Sequence, residues 1–295
     1  MSQNCAVQVR FYKPPPELQR YFTTFHTAEI TVADGGQIQD FLHPEWGNLR
    51  FHAGNTPDAS NAKGQNLSGT HFPATGPSSR AVKFAVGTTR LWGVGLLPLG
   101  WAKFIGTPAR DLADTLVDGT SHPAYRRFAP LARDLFGAQP DELGELARIT
   151  EFFNSLTAKP IRDEARILAI HKALIDPEVA TVSQLVERSI VSPRTLERVC
   201  THAFGFAPKL LLRRQRFMRS VTQFLLDPSL RWIGALDGHY HDQAQFVREF
   251  RQFIGMTPRQ YAALSHPIID VFMRERLAFA GAAVQALDGP AGGGA

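Results

Sequence analysis

Cysteine is nearly missing. Only Cys5 and Cys200 occur in 295 residues, far apart and without a Cys-x-x-Cys pair, so neither a disulfide framework nor a four-thiolate zinc site can be built. No apolar run approaches the roughly 18 residues that a membrane helix needs. The start, Met1-Ser2-Gln3-Asn4-Cys5, lacks the basic stretch followed by an apolar one that marks a secretory signal, and a cytoplasmic protein is expected. Also lacking are Gly-x-Ser-x-Gly, a phosphate-binding Gly-rich loop, Gly-x-Gly-x-x-Gly and His-Glu-x-x-His, so the usual hydrolase, nucleotide, dinucleotide and zinc-protease chemistries have no residues to carry them. A protein that binds rather than catalyses, with no cofactor, is the expectation.

Charge is modest at 20% of residues, but its placement is uneven. The segment Thr181 to Leu264 holds twelve basic residues against six acidic ones, a net of +6, in a chain whose total is +5. The remainder therefore nets −1, and any affinity for a polyanion is confined to this segment.

Residues 7–118 are rich in Gly, Pro, Asn, Ser and Thr, with short apolar runs such as Arg80 to Val86 and Leu91 to Leu97. Short strands separated by turns follow, in a sandwich or small barrel. Gly54 to Ser79 reads as long surface loops, and Ala109 to Val117 as a return to helical spacing. Residues 123–176 carry two helices. In the first, opened by Asp141, Leu143, Leu146, Ile149, Phe152, Phe153 and Leu156 fall three and four apart; the second runs from Ile161 to Ile175. They serve either as internal packing or as a homodimer seam. Residues 268–295 add a helical stretch and a Gly-rich end expected to be disordered.

The most specific feature is an internal repeat between residues 178 and 264. Ser192, Leu196, Arg198, Gly205 and Pro208 reappear fifty residues later as Asp242, Phe246, Arg248, Gly255 and Pro258. Cap, core residue, base, helix stop and Pro recur in that order, which is the pattern of a helix-turn-helix unit written twice. Pro208 to Leu226 reads as one long helix joining the copies, able to hold two reading helices at the spacing of successive major grooves, about 34 Å.

The chain from Thr181 to Leu264 resembles the DNA-binding domain of the AraC/XylS family of transcription regulators. The resemblance rests on Asp242-Gln-Ala-Gln-Phe-Val-Arg-Glu-Phe-Arg-Gln-Phe-Ile-Gly-Met-Thr-Pro-Arg-Gln-Tyr261, with Ser192 to Arg198 and Phe204-Gly-Phe-Ala-Pro208 in support. It implies base reading by Arg194, Thr195 and Arg198 in the first unit and by Gln243, Gln245 and Arg248 in the second, with Arg251 nearer the phosphates. Ser192, Arg213, Arg216 and His241 are further candidates for phosphate contact. Glu197, set among the reading residues, is expected to pair with Arg194. Ile233 to Gly238 departs from the family's aliphatic-alanine helix and is expected to leave the second unit less rigid. Tyr12 to Tyr21 and Val94 to Gly106 resemble the cupin-like sensor domains that precede such units in some members.

The fold expected is α+β: a β-rich, cupin-like sandwich or barrel, a helical connector, and an all-α end with two helix-turn-helix units. The partners implied are double-stranded DNA, a small-molecule effector, a second copy of the chain and, for an activator, RNA polymerase. Two other readings stand beside this one. A cupin-type metal-binding enzyme would use His43, His52 and His71, which read better as loop histidines without metal, while His239 and His241 sit in a turn. A cysteine-dependent DNA repair protein would need a reactive thiol, and Cys200 falls on a core face. Trp46, Trp92 and Trp101 either line an effector pocket or pack the core, the core being the default.

Overall fold

In the computed structural model, residues 5–156, 160–226, 237–238, 240 and 242–290 are described. Ten strands come first: β1 Cys5–Tyr12, β2 Phe22–Val32, β3 Ile38–Leu42, β4 Gly47–Gly54, β5 Asp58–Asn61, β6 Asn66–Leu67, β7 Pro73–Thr75, β8 Val82–Val86, β9 Thr89–Leu96 and β10 Leu116–Asp118. They form two antiparallel sheets, ordered β1-β2-β9-β4-β7-β10 and β3-β8-β5-β6. The sandwich expected from the alternating apolar runs is present. The stretch Gly54 to Ser79, however, is more than surface loop: it contributes β5, β6 and β7, and Phe72 to Ser79 is buried. Its small polar residues belong to short strands whose hydrogen bonds, rather than apolar side chains, hold them in place. Ala109 to Val117 likewise becomes a 3-10 turn followed by β10.

Nine helices among the described residues matter here. They are α1 Ala129–Asp134, α2 Glu142–Ser155, α3 Glu164–Ile175, α4 Val182–Ser189, α5 Pro193–Val199, α6 Pro208–Leu226, α7 Gln243–Ile254, α8 Pro258–Ala262 and α9 Ile269–Ala280. Asp141 caps α2 through the Gly144 amide. Leu143 is 74% exposed, so the inward face starts at Glu145 instead.

The larger sheet is buried on both faces. Successive strand residues point to opposite sides. One side of β4 and β9 supplies Leu49, Phe51, Trp92, Val94 and Leu96 to a core shared with α2 and α3. Phe153 of α2 sits 4.7 Å from Phe22 and 5.2 Å from Phe104, ring to ring. Glu145, fully buried, accepts from Arg90 and from Trp92 Nε1 at 2.6 Å. Both connector helices are thereby used in packing on their own chain. Trp46, Trp92 and Trp101 are core residues here, each no more than 1% exposed. The same core runs on without a break through Leu185, Leu196, Val199 and Phe204 of the first helix-turn-helix unit.

A second core, Phe217, Val221, Phe246, Phe250, Phe253 and Tyr261, belongs to the second unit. After it, α9 turns back onto the sandwich. Its Phe272 meets Phe11 and His26 edge to face at 6.2 and 5.2 Å.

Candidate nucleic-acid interface and the cavity behind it

The two copies of the repeat fold alike where they are described. Ser192 and Asp242 are both N-caps, accepting from the amides of Thr195 and Gln245. Leu196 and Phe246 are both fully buried. Gly205 and Gly255 both take left-handed conformations, φ 88° and 94°, which a side chain at either position would oppose. Pro208 and Pro258 then open α6 and α8. In the first unit α4 ends at Ile190 in a left-handed turn and α5 begins three residues later, continuing as a π turn to Phe204. Of the segment Ile233 to Gly238, expected to leave the second unit less rigid, Ile233 to Leu236 lie outside the described residues, as do His239 and His241.

Of the candidate reading residues, Arg194, Gln243 and Arg248 are exposed, and Thr195 and Gln245 are half-buried. Arg194, Arg248 and Arg251 have no carboxylate partner among the described residues. Arg198 does: its Nη1 donates to Asp163 Oδ2 at 2.7 Å, and Arg166 holds the other oxygen. These two guanidinium groups hold the Asp163 carboxyl at about 2, well under its ordinary range. The pairing expected between Glu197 and Arg194 is not formed; of the three reading arginines only Arg198 meets a carboxylate among the described residues, that of Asp163.

On α6, Arg213 and Arg216, named above for phosphate contact, are half-buried and paired with an acid of α7. Arg213 and Arg216 both bond Glu249 Oε1, at 2.9 and 2.6 Å, and Arg213 also reaches Gln252 Oε1 at 2.6 Å. Arg216 further stacks on Tyr240, whose hydroxyl donates to Glu249 Oε2 at 2.7 Å. These groups fasten α7 to α6. Arg214 is fully buried 4.0 Å over the Trp46 ring and donates to the Ser78 carbonyl at 2.9 Å, and burial lowers its pKa to about 9. The Ser192 hydroxyl is likewise engaged, donating to Thr195 Oγ1 at 3.0 Å. Arginine density alone could not separate an inward face from an outward one; the buried Glu249 between Arg248 and Phe250 is the acid that makes the difference.

The second unit is latched to the sandwich by groups to which the sequence assigned no such role. Tyr261 Oη lies 2.8 Å from His43 Nε2, and the Tyr261 ring stacks on His266 at 4.0 Å. Asp40, fully buried on β3, accepts from the amides of Ile268 and Ile269 at 2.9 and 2.8 Å and faces His266 Nδ1 at 3.2 Å. The Ala81 amide donates to the Phe253 carbonyl at 2.7 Å.

Behind that latch, between the sheets and closed by α9, is a cavity of about 150 Å³. His43 and His52 line it, both buried: His43 is in the loop between β3 and β4, whereas His52 is a β4 residue and not a loop histidine, and His71 is an exposed loop residue. Burial pushes the imidazoles down, to about 4 for His43 and about 3 for His26 and His52. Among the described residues no group of three His, Cys, Asp or Glu is arranged to hold a metal ion. Cys200 is buried, and burial raises its thiol well above the ordinary range, leaving little thiolate to act as a nucleophile. No described helix is long and apolar enough to cross a membrane.

No curated protein matches the chain. Among solved structures, ToxT from Vibrio cholerae O395 bound to (E)-4-(8-methylnaphthalen-1-yl)but-3-enoic acid aligns at 8% identity over 87% of this chain and 98% of its own, with a TM-score of 0.42. Unsaturated fatty acid bound ToxT from strain SCE256 aligns at 10% identity over 88% and 96%, with a TM-score of 0.40. The AraC-like transcriptional activator CuxR aligns at 12% over 72% and 86%, with a TM-score of 0.29. The family model described as "Helix-turn-helix domain" matches residues 185–263, which spans both copies of the repeat. Residues 185–263 are therefore a helix-turn-helix domain, joined in one chain to a two-sheet β domain.

Proposed function

We propose that this chain is a sequence-specific transcription regulator, cytoplasmic and without catalytic activity, whose two helix-turn-helix units read adjacent stretches of double-stranded DNA. Its β domain responds to a small-molecule effector. The observation that carries the reading is the constant spacing of fifty residues at which cap, core residue, exposed arginine, left-handed glycine and Pro recur. The two frames offer Arg194, Thr195 and Arg198 from α5 and Gln243, Gln245 and Arg248 from α7, with Thr195 and Arg198 falling on Gln245 and Arg248 at the fifty-residue offset. Arg and Gln suit bidentate contacts to guanine and adenine edges, and Arg251, exposed on the last turn of α7, suits a phosphate. Arg213 and Arg216 support α7 from within and do not take part in the contact proposed. A second copy of the chain and RNA polymerase are the protein partners that fit such a regulator.

The test is binding of the full chain to a randomised duplex pool, followed by titration on the selected site at several salt concentrations. Binding that weakens steeply with salt, with Arg248→Ala and Gln243→Ala each relaxing preference at one position by about 1–3 kcal/mol, supports the reading. A chain that enriches no sequence from the pool refutes it.

A further inference from the structure

The cavity has two unlike walls. From β4, alternate residues Asn48, Arg50 and His52 face it, and across β9 the register places His26 and Arg50 on either side of Gly93. A Cβ at Gly93 would stand 2.1 Å from the His26 ring, so the glycine is what lets a polar row occupy the inner face of the larger sheet. The smaller sheet supplies Val82, Phe84 and Val86 opposite. A void of about 150 Å³ has the size that holds a single benzene ring.

The charges that reach this space are already matched. Arg50 donates to Glu45 Oε1 at 2.6 Å, and Arg276 is paired with Asp288 and with the Ala282 carbonyl. His26 and His52 are held neutral by burial and by the nearby Arg50. What is unmatched is hydrogen-bonding capacity: Asn48 Oδ1 and His52 Nε2, in residues 1% and 6% exposed, have no partner among the described residues. An orphaned buried acceptor costs about 1–3 kcal/mol. An ion brought here would lose its hydration without meeting an unpaired counter-charge.

We propose that the cavity is a binding site for an uncharged, ring-sized molecule bearing a hydroxyl or ring N–H, a phenol or N-heteroaromatic, whose donor meets Asn48 Oδ1 or His52 Nε2 while its ring lies against Val82, Phe84 and Val86. As the effector site it rests on the regulator reading; as a binding site it does not. A third side is closed by α9, through Phe272 and Met273. Its first amides are held by Asp40, and it follows directly on α8 of the second unit, so a molecule that settles α9 also settles α7 and α8.

The test uses the full chain with phenol, benzene and benzoate, followed by melting temperature and calorimetric titration. Phenol is expected to raise the melting temperature saturably, with benzene at least tenfold weaker and benzoate without effect. His52→Leu and Asn48→Leu, which remove the orphaned atoms, are expected to melt at or above the parent and to lose phenol binding at least tenfold. As a readout free of any variant, phenol should shift the His52 ring proton resonances. Benzoate binding as well as phenol, or no saturable binding by either ring alcohol or ring hydrocarbon, overturns the assignment, as does a leucine variant that melts lower yet binds phenol normally. DNA titrations run alongside separate the two readings: phenol binding in a chain that selects no DNA sequence refutes the regulator alone, and selective DNA binding by a chain indifferent to phenol refutes the cavity assignment alone.

Discussion

Asp40 Oδ1 and His266 Nδ1 lie 3.2 Å apart, although 226 residues separate them in the chain. The other nitrogen of that imidazole faces the Tyr261 carbonyl at 2.9 Å. Both ring nitrogens therefore meet acceptors, an arrangement satisfied in full only by the imidazolium, which donates twice. Burial opposes the charge, but the Asp40 carboxylate, the Tyr261 carbonyl and the nearby Asp270 outweigh it, and the His266 pKa is raised above 6.5. With the folded value above the unfolded one, this pair stabilises the chain fully below about pH 6.5 and loses that contribution as pH rises through the folded value. Asp40→Asn should lower stability by about 2–3 kcal/mol, since a charged partner and a cap of α9 are weakened together. Melting curves from pH 5 to 8 should show the gap between parent and variant largest at the acid end. A gap that widens toward pH 8 would contradict the imidazolium assignment.

Four other histidines carry the opposite sign. His26, His52 and His171 are lowered to about 3 and His43 to about 4, in each case chiefly by burial. Their folded values lie below the unfolded 6.5, so the stability they contribute is complete above pH 6.5 and declines as pH falls toward 4. The expected outcome is acid unfolding in that window, ahead of the carboxylates. His171→Phe, which keeps a ring against Trp46 and Phe204, should flatten the dependence of denaturation midpoint on pH by about one proton's worth. An unchanged slope would mean that His171 titrates in the folded chain.

Much of this architecture was legible because local rules agree with one another. The fifty-residue repeat revealed two units because Ser192 and Asp242 cap, Gly205 and Gly255 terminate, and Leu196 and Phe246 bury, each for a reason internal to its own helix. Short strands over residues 7–118 followed from apolar runs bounded by Gly and Pro. Where the reading went astray, the deciding partner was remote in sequence. Nothing in Arg213 or Arg216 shows that Glu249 waits across the helix pair, and nothing in Asp40 shows that it caps a helix beginning at Ile269. Likewise a histidine in a β-rich stretch gives no sign of whether it is in a loop, as His71 is placed beside β7, or faces an inner cavity, as His52 does. Periodicity reports a face, and only tertiary packing says what meets it.

If Arg198 reads a base as proposed, its ion pair with Asp163 is a brake on the first unit. Asp163, at the turn before α3, holds the guanidinium that α5 would offer to a base edge. Arg198 is 44% exposed, so the pair is screened and worth no more than about 1 kcal/mol. Asp163→Asn should free Arg198 and tighten binding to the selected site by about two- to fivefold, with the gain vanishing in an Arg198→Ala background. Equal affinities for parent and variant would place Arg198 away from the bases.

The second unit invites a sharper contrast, between the paired arginines of α6 and the exposed Arg251 of α7. Glu249 is buried and accepts from Arg213, Arg216 and Tyr240 at once. Removing it strands two partly buried guanidinium groups and a phenol, and breaking such a buried network from one side costs about 3–5 kcal/mol. Glu249→Ala should therefore lower the melting temperature strongly and loosen α7 from α6. Arg251 stands exposed on the opposite side of α7 with no carboxylate partner among the described residues. Arg251→Ala should leave melting unchanged, weaken DNA binding to all sequences alike, and reduce the slope of log affinity against log salt by about one. If Arg251→Ala leaves the salt slope intact while Arg213→Ala lowers it without destabilising the fold, the inner and outer faces of this helix pair have been assigned the wrong way round.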